Sequence, residues 1–141
     1  MHKGRIIFEL RDDVVPKTCL NFRTLAQRSK PEGYKGSKIY RIINQFIIVG
    51  GDYINENGSA GRSIFENRFF DDENFTLNHN KPYMLTMGNE GPHSNSSEFY
   101  ITKRKTPWLN GVHVVFGEVK QGFEIVDEID KCGSDQGDVI S

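Results

Sequence analysis

Ile39-Tyr40-Arg41-Ile42-Ile43-Asn44-Gln45-Phe46-Ile47-Ile48-Val49-Gly50-Gly51-Asp52 sets one permanently charged guanidinium in a run made mostly of apolar residues. The stretch from Ser37 to Val49 reads as β-rich, and Gly50-Gly51 marks a bend where chains approach closely. Arginine cannot shed its proton to escape burial, so Arg41 must find an acceptor, reach water, or face a cleft that uses its charge. Two readings are open at this point: the wet face of an amphipathic strand, or a functional cleft.

Working outward, the chain reads mostly as strands with two helices. Arg5 to Leu10 has the partial alternation of a half-buried strand, ended by Asp12-Asp13. Pro16 suits a first helical turn, and Cys19, Phe22, Leu25 and Ala26 then line one face of a helix that should end near Arg28. Lys30 to Gly33 and Asn55 to Gly61 read as loops. The segment Phe70 to Phe75 reads as a solvated acidic turn between aromatic anchors, because calcium loops need a fuller set of oxygen ligands. Tyr83 to Met87, Glu98 to Thr102 and Val112 to Val119 read as strands, with a polar segment from Gly88 to Ser97. After Gly122, residues Phe123, Ile125, Val126, Ile129 and Cys132 form a helical stripe that Gly133 can cap. Such an order suggests a barrel or sandwich with helical caps.

A chain of 141 residues fits a single domain spanning 1–141, burying roughly two-thirds of its unfolded surface. The formal net charge of −1 gives no basic footprint, so neither nucleic acid nor an anionic membrane is an expected partner. No window approaches a membrane span, and Met1-His2-Lys3-Gly4 leads into a strand-like segment without a signal-peptide core. The expected setting is soluble and intracellular, the cytoplasm first, with the nucleus also open. Cys19 and Cys132 both read as buried thiols, and His2, His79, His93 and His113 lack metal-ligand spacing, so no metal site is expected.

A denser set of motifs carries a resemblance. Val15-Pro16-Lys17-Thr18 with Asn21-Phe22-Arg23, Gly33-Tyr34-Lys35-Gly36-Ser37, Arg41-Ile42-Ile43 with Phe46 and Gly50-Gly51-Asp52, and Asp72-Glu73-Asn74-Phe75 come first. Met87-Gly88-Asn89, Ser97-Glu98-Phe99-Tyr100-Ile101 and Trp108 to Gly117 then follow in order. Across nearly its whole length the chain resembles the cyclophilins, which are peptidyl-prolyl cis-trans isomerases. The resemblance implies a mainly β fold, an antiparallel β-barrel of eight strands closed by two α-helices, with the groove on its outer face and no cofactor. It further implies proline-containing peptides and proteins as partners, with cyclosporin binding in the same groove.

Position by position, Arg41 matches the catalytic arginine. Phe46, Ile47, Tyr100 and Leu109 match the apolar socket for the proline ring. Trp108 and His113 match the rim, and the Asn89 backbone matches the edge that pairs with the bound peptide. Several positions depart from the family. Val49 and Glu98 stand where glutamines are usual, Ile47 replaces a methionine, Tyr100 a phenylalanine, and Gly88 and Glu90 replace small residues that are usually alanine. Glu98 has two outcomes: a carboxylate that competes for Arg41, or one that holds its fork in place. Glu90 adds negative charge beside the pocket for residues preceding proline, which favours basic or polar residues there.

The usual first and last strands, neighbours in such a barrel, have no counterpart before Gly4-Arg5-Ile6-Ile7 or after Val139-Ile140-Ser141. The barrel is therefore expected to be incomplete on one side, with unpaired edges, marginal stability and self-association. The functional expectation is X-Pro isomerisation. A proline-peptide binding module with weak or no catalysis is the alternative, and a purely structural domain is a third reading.

Overall fold

Antiparallel pairing joins six strands in the order β1-β6-β4-β5-β3-β2 in the computed structural model, which describes residues 4–135 and residue 137. The strands are β1 (Ile7–Leu10), β2 (Arg41–Ile43), β3 (Ile47–Gly50), β4 (Met84–Met87), β5 (Phe99–Thr102) and β6 (Val115–Gln121), with helices α1 (Pro16–Gln27) and α2 (Phe123–Asp130). Residues Met1 to Lys3 and Val139-Ile140-Ser141 lie outside the described residues.

Directly paired residues share a face of a sheet. Ile42↔Ile48, Ile48↔Ile101 and Ile101↔Leu85 form one row, and all four side chains enter the core. One residue along, Arg41↔Val49, Val49↔Tyr100 and Tyr100↔Thr86 form the row on the opposite face. Phe22 of α1 gathers the core aromatics, with ring centroids 5.1 Å from Phe116, 5.3 Å from Phe99 and Tyr34, and 5.8 Å from Phe8. Val126 of α2 is fully buried at the other side of the same cluster.

Several local expectations change. Arg5 and Ile6 precede β1, which begins at Ile7, and Ser37 to Val49 divides into two strands around a turn closed by Phe46 N–H donating to Ile43 O at 3.0 Å. Strand β6 starts at Val115 because Val112 and His113 turn back, both donating their N–H groups to Leu109 O at 3.1 Å. Ala26 is exposed and Asn21 takes the buried position on α1, donating from Nδ2 to Ser96 O and accepting from Ile64 N–H. Helix α2 stops at Asp130, whose carbonyl accepts the Gly133 N–H at 3.1 Å, so Gly133 does serve the helix end, without a left-handed conformation. A Cβ on Gly133 would lie 2.4 Å from the Ile42 side chain, so its lack of one permits close approach to β2. Cys19 is buried, its thiol pushed up to about 12 by desolvation, whereas Cys132 is only half-buried.

The acidic turn is solvated only in part: Asp71 is in water, while Asp72 and Glu73 hold structure together. The residue before α1, Val15, has no side-chain acceptor to cap the helix. Glu73 does so from a distance, accepting from Lys17 N–H at 3.1 Å and from the N–H and hydroxyl of Thr18 at 2.9 Å. Asp72 accepts from Asn95 Nδ2 at 2.7 Å and His93 N–H at 3.1 Å.

Among the described residues the sheet is not closed, since β1 and β2 do not pair with each other. The β2 edge is nonetheless covered. Ile42 N–H donates to Gly137 O, Ser134 N–H to Ile42 O, and Asn44 N–H to Ser134 O at 3.0 Å, in a short parallel bridge. The unpaired edge expected from the sequence is thus confined to β1, which pairs with β6 alone among the described strands.

Candidate active site

Arg41 opens β2 on the outer face and is exposed, with no side-chain hydrogen bond or ion pair to any described residue. The wet-strand reading and the cleft reading are therefore compatible: the guanidinium is solvated, and its nearest cross-strand neighbours are Val49 and, beyond it, Tyr100. Burial pushes the Tyr100 hydroxyl up to about 12, so it stays protonated at neutral pH.

Val49 and Ile47 are both buried, at 3 % and 5 % exposure, although they point away from the core. The loop that follows β5 covers this face. Its short 3-10 turn, Pro107–Leu109, brings Trp108 beside Phe46, with ring centroids 5.8 Å apart and a 42° tilt. His113 stacks obliquely on Tyr100 at 5.2 Å. Its Nδ1 donates to Met87 O at 2.7 Å, and burial lowers its pKa, which favours the neutral ring. Leu109 is half-buried and its carbonyl closes the turn leading to His113.

Beneath that loop lies a polar anchor that the sequence reading did not single out. His79 is fully buried; its main-chain N–H and its Nδ1 both meet Asn110 Oδ1 at 2.8 Å, and Nε2 meets Thr86 Oγ1 at 2.9 Å. An amide oxygen only accepts, so Nδ1 carries the proton and the Thr86 hydroxyl donates to Nε2. The anchor ties the Trp108 loop to the outer face of β4.

Glu98 takes neither course open to it in the sequence. Its carboxylate accepts from the Tyr40 hydroxyl at 2.6 Å and makes no ion pair with Arg41. Room for it comes from two glycines. A Cβ on Gly88 would lie 2.5 Å from Glu98 Oε1, and one on Gly58 would lie 2.8 Å from Oε2. A side chain at position 88 would thus crowd Glu98 as it is placed here. Gly58 is held there by Asp52, fully buried, whose carboxylate accepts main-chain N–H groups from Ile54, Asn55, Asn57, Gly58 and Ala60. Burial works against the Asp52 charge, and those donors hold its pKa low regardless.

Glu90 is exposed, at the mouth of a slot it shares with Gly88, Asn89, Arg68 and Glu98. With a volume of about 10 Å³, the slot has space for no more than a water, so Glu90 lines no deep pocket. Asn89 spends its side chain locally, donating to Val112 O at 2.8 Å and accepting from Gly91 N–H at 3.2 Å. Its own N–H and C=O have no intramolecular partner among the described residues.

The structure therefore gathers Arg41, Phe46, Ile47, Val49, Tyr100, Trp108, Leu109 and His113 on one face, and Gly88, Asn89, Glu90 and Glu98 around the adjoining slot. Tyr40 and Gly58 were missed because their role depends on register and loop path, which the sequence does not print.

Two comparisons bear on this arrangement. The family model described as "Cyclophilin type peptidyl-prolyl cis-trans isomerase/CLD" matches residues 1–141. A protein of Encephalitozoon cuniculi (strain GB-M1) named "Peptidyl-prolyl cis-trans isomerase" is 54 % identical over 136 residues, covering 96 % of this chain and 78 % of that protein.

Burial raises the pKa of Glu98 above its ordinary value, so its charged form costs stability in the folded state and that cost is relieved as pH falls through the raised pKa. Glu98→Gln keeps an acceptor for Tyr40 and carries no charge. Urea unfolding from pH 8 down to pH 4 should find this variant more stable than the parent at neutral pH, the gap closing on acidification. A constant gap would contradict the assignment.

Proposed function

The chain belongs to the cyclophilin-type peptidyl-prolyl cis-trans isomerases, and we propose that it turns X-Pro bonds with Arg41 as the catalytic donor. The peptide C–N bond resists rotation by about 18–20 kcal/mol because the nitrogen lone pair is shared with the carbonyl. Twisting localises that lone pair. A donor aimed at the prolyl nitrogen then binds the twisted state more tightly than the planar one and lowers the barrier without covalent chemistry.

One observation carries the proposal: among the described residues the Arg41 side chain has no hydrogen bond or ion pair and stands beside an apolar platform, while the Glu98 carboxylate accepts the Tyr40 hydroxyl. Phe46, Ile47, Tyr100 and Leu109 form the socket that grips the proline ring, with Trp108 and His113 at its rim. The unpaired main-chain groups of Asn89 supply an edge for the peptide. Clients are proline-containing peptides and proteins, and cyclosporin is a ligand of the same groove, its contact at the rim the half-exposed Trp108. The fully buried, unbridged thiol of Cys19 fits a reducing, cytoplasmic setting. The β1 edge, unpaired on one side, favours self-association at high concentration.

A second reading, a proline-peptide module with weak turnover, has one observation in its favour. Val49 lies directly across from Arg41 and offers the fork no hydrogen-bond partner.

A protease-coupled assay on a proline tetrapeptide separates the two. Arg41→Ala should lower kcat/KM by about 10²- to 10³-fold, as removal of a preorganised donor does, while peptide affinity changes little. Equal losses in binding and turnover, or no loss, would favour the module. In the same assay at low salt, lysine before proline should outpace glutamate by about two- to fivefold, the scale of an exposed charge pair. Equal rates would remove Glu90 from specificity.

A further inference from the structure

The turn that presents Phe46 has an unfavourable backbone. Gln45 sits at φ +63°, in the left-handed region that favours glycine, between β2 and β3. A side-chain-bearing residue stays there only where its surroundings hold it. The holder is on α2. Asp130, 5 % exposed, accepts the Gln45 main-chain N–H at 3.1 Å through Oδ1 and 3.4 Å through Oδ2. Its own carbonyl accepts Asn44 Nδ2 at 2.5 Å. A charged acceptor on a main-chain donor is the stronger class of hydrogen bond, and here water is largely excluded from it.

Phe46 is the next residue. Its N–H closes the turn on Ile43 O, and its carbonyl accepts Lys103 N–H at 2.8 Å. The Lys103 side chain, 10 % exposed, pairs with Asp127, one helical turn before Asp130. The last turn of α2 thus grips the Phe46 segment from both sides, once through Gln45 and once through Lys103.

We propose that Asp130 is a positioning residue for the proline socket, fixing the Phe46 ring against Trp108 through the backbone of Gln45. It rests on the assignment of Phe46 to that socket and of Trp108 to its rim. Asp130 touches no substrate; it acts through the turn. A socket that grips proline equally in the planar and twisted states changes KM rather than kcat when it moves.

The test is steady-state isomerisation by the full chain with the emission of Trp108, its one tryptophan, as a second readout. Asp130→Ala should raise KM about tenfold with kcat within about twofold, and should alter Trp108 emission. Asp130→Asn retains an acceptor and should stay within about twofold of the parent. Val126→Ala, a core truncation in the same helix, should lower stability and leave KM alone. Should the alanine variant not fold, Asp130→Glu moves the acceptor by one methylene and should raise KM about threefold. Unchanged KM in both Asp130→Ala and Asp130→Glu, or an equal KM rise in Val126→Ala, overturns the proposal. Phe46→Ala separates the premise from the inference: if it raises KM while the Asp130 variants do not, the socket stands and Asp130 has no part in it. If it leaves KM unchanged, the socket assignment fails and the proposal with it.

Discussion

The antiparallel register running from β2 through β3 and β5 to β4 is the constraint on which the molecule depends. Because side chains alternate across a strand, one row sends Ile42, Ile48, Ile101 and Leu85 inward and the next sends Arg41, Val49, Tyr100 and Thr86 outward. A slip of one residue would place a guanidinium in the core and four apolar side chains in water. Core formation and the outward placement of Arg41 are therefore one event. The Trp108 loop meets that outer face at Phe46 and Tyr100, and β3, buried at all four positions, reads as an unbroken apolar run.

Carboxylates do much of the remaining organisation, each by accepting hydrogen bonds rather than by surface ion pairing. Asp52 gathers five main-chain N–H groups and sets the loop that brings Gly58 to Glu98. Glu73 caps α1, Asp130 holds the turn before Phe46, and Glu98 is held by Tyr40. These bonds, with buried or half-buried partners, are worth more than the exposed pairs Arg11–Asp13 and Arg23–Asp12, which water screens. Arg41 is left outside all of them. Among the described residues no carboxylate forms an ion pair with it, and the Glu98 carboxylate accepts the Tyr40 hydroxyl instead.

Much of this was legible in the sequence. Alternation and apolar runs located each described strand to within a few residues, Pro16 marked the start of α1, and the ordered motifs carried the resemblance that the family model bears out. What was not legible depended on distant contacts. The cap of α1 comes from Glu73, far along the chain, so the acidic turn looked merely solvated. The partner of Glu98 is Tyr40, a residue that sits beside Arg41 in sequence and whose side chain reaches Glu98 only once the strands are in register. Gly88 read as a small departure from alanine, and its close approach to the Glu98 side chain is visible only in three dimensions. The covered edge of β2 was hidden because residues 134–137 carry no strand pattern of their own.

The central claim is that Tyr40 keeps Glu98 from competing for Arg41. The most direct measurement is isomerase turnover and peptide affinity of Tyr40→Phe, which removes the hydroxyl and releases the carboxylate. The account predicts that kcat/KM falls about tenfold, the scale of one charge-assisted bond, with peptide affinity retained and turnover restored by adding Glu98→Gln. Unchanged turnover in Tyr40→Phe would contradict it.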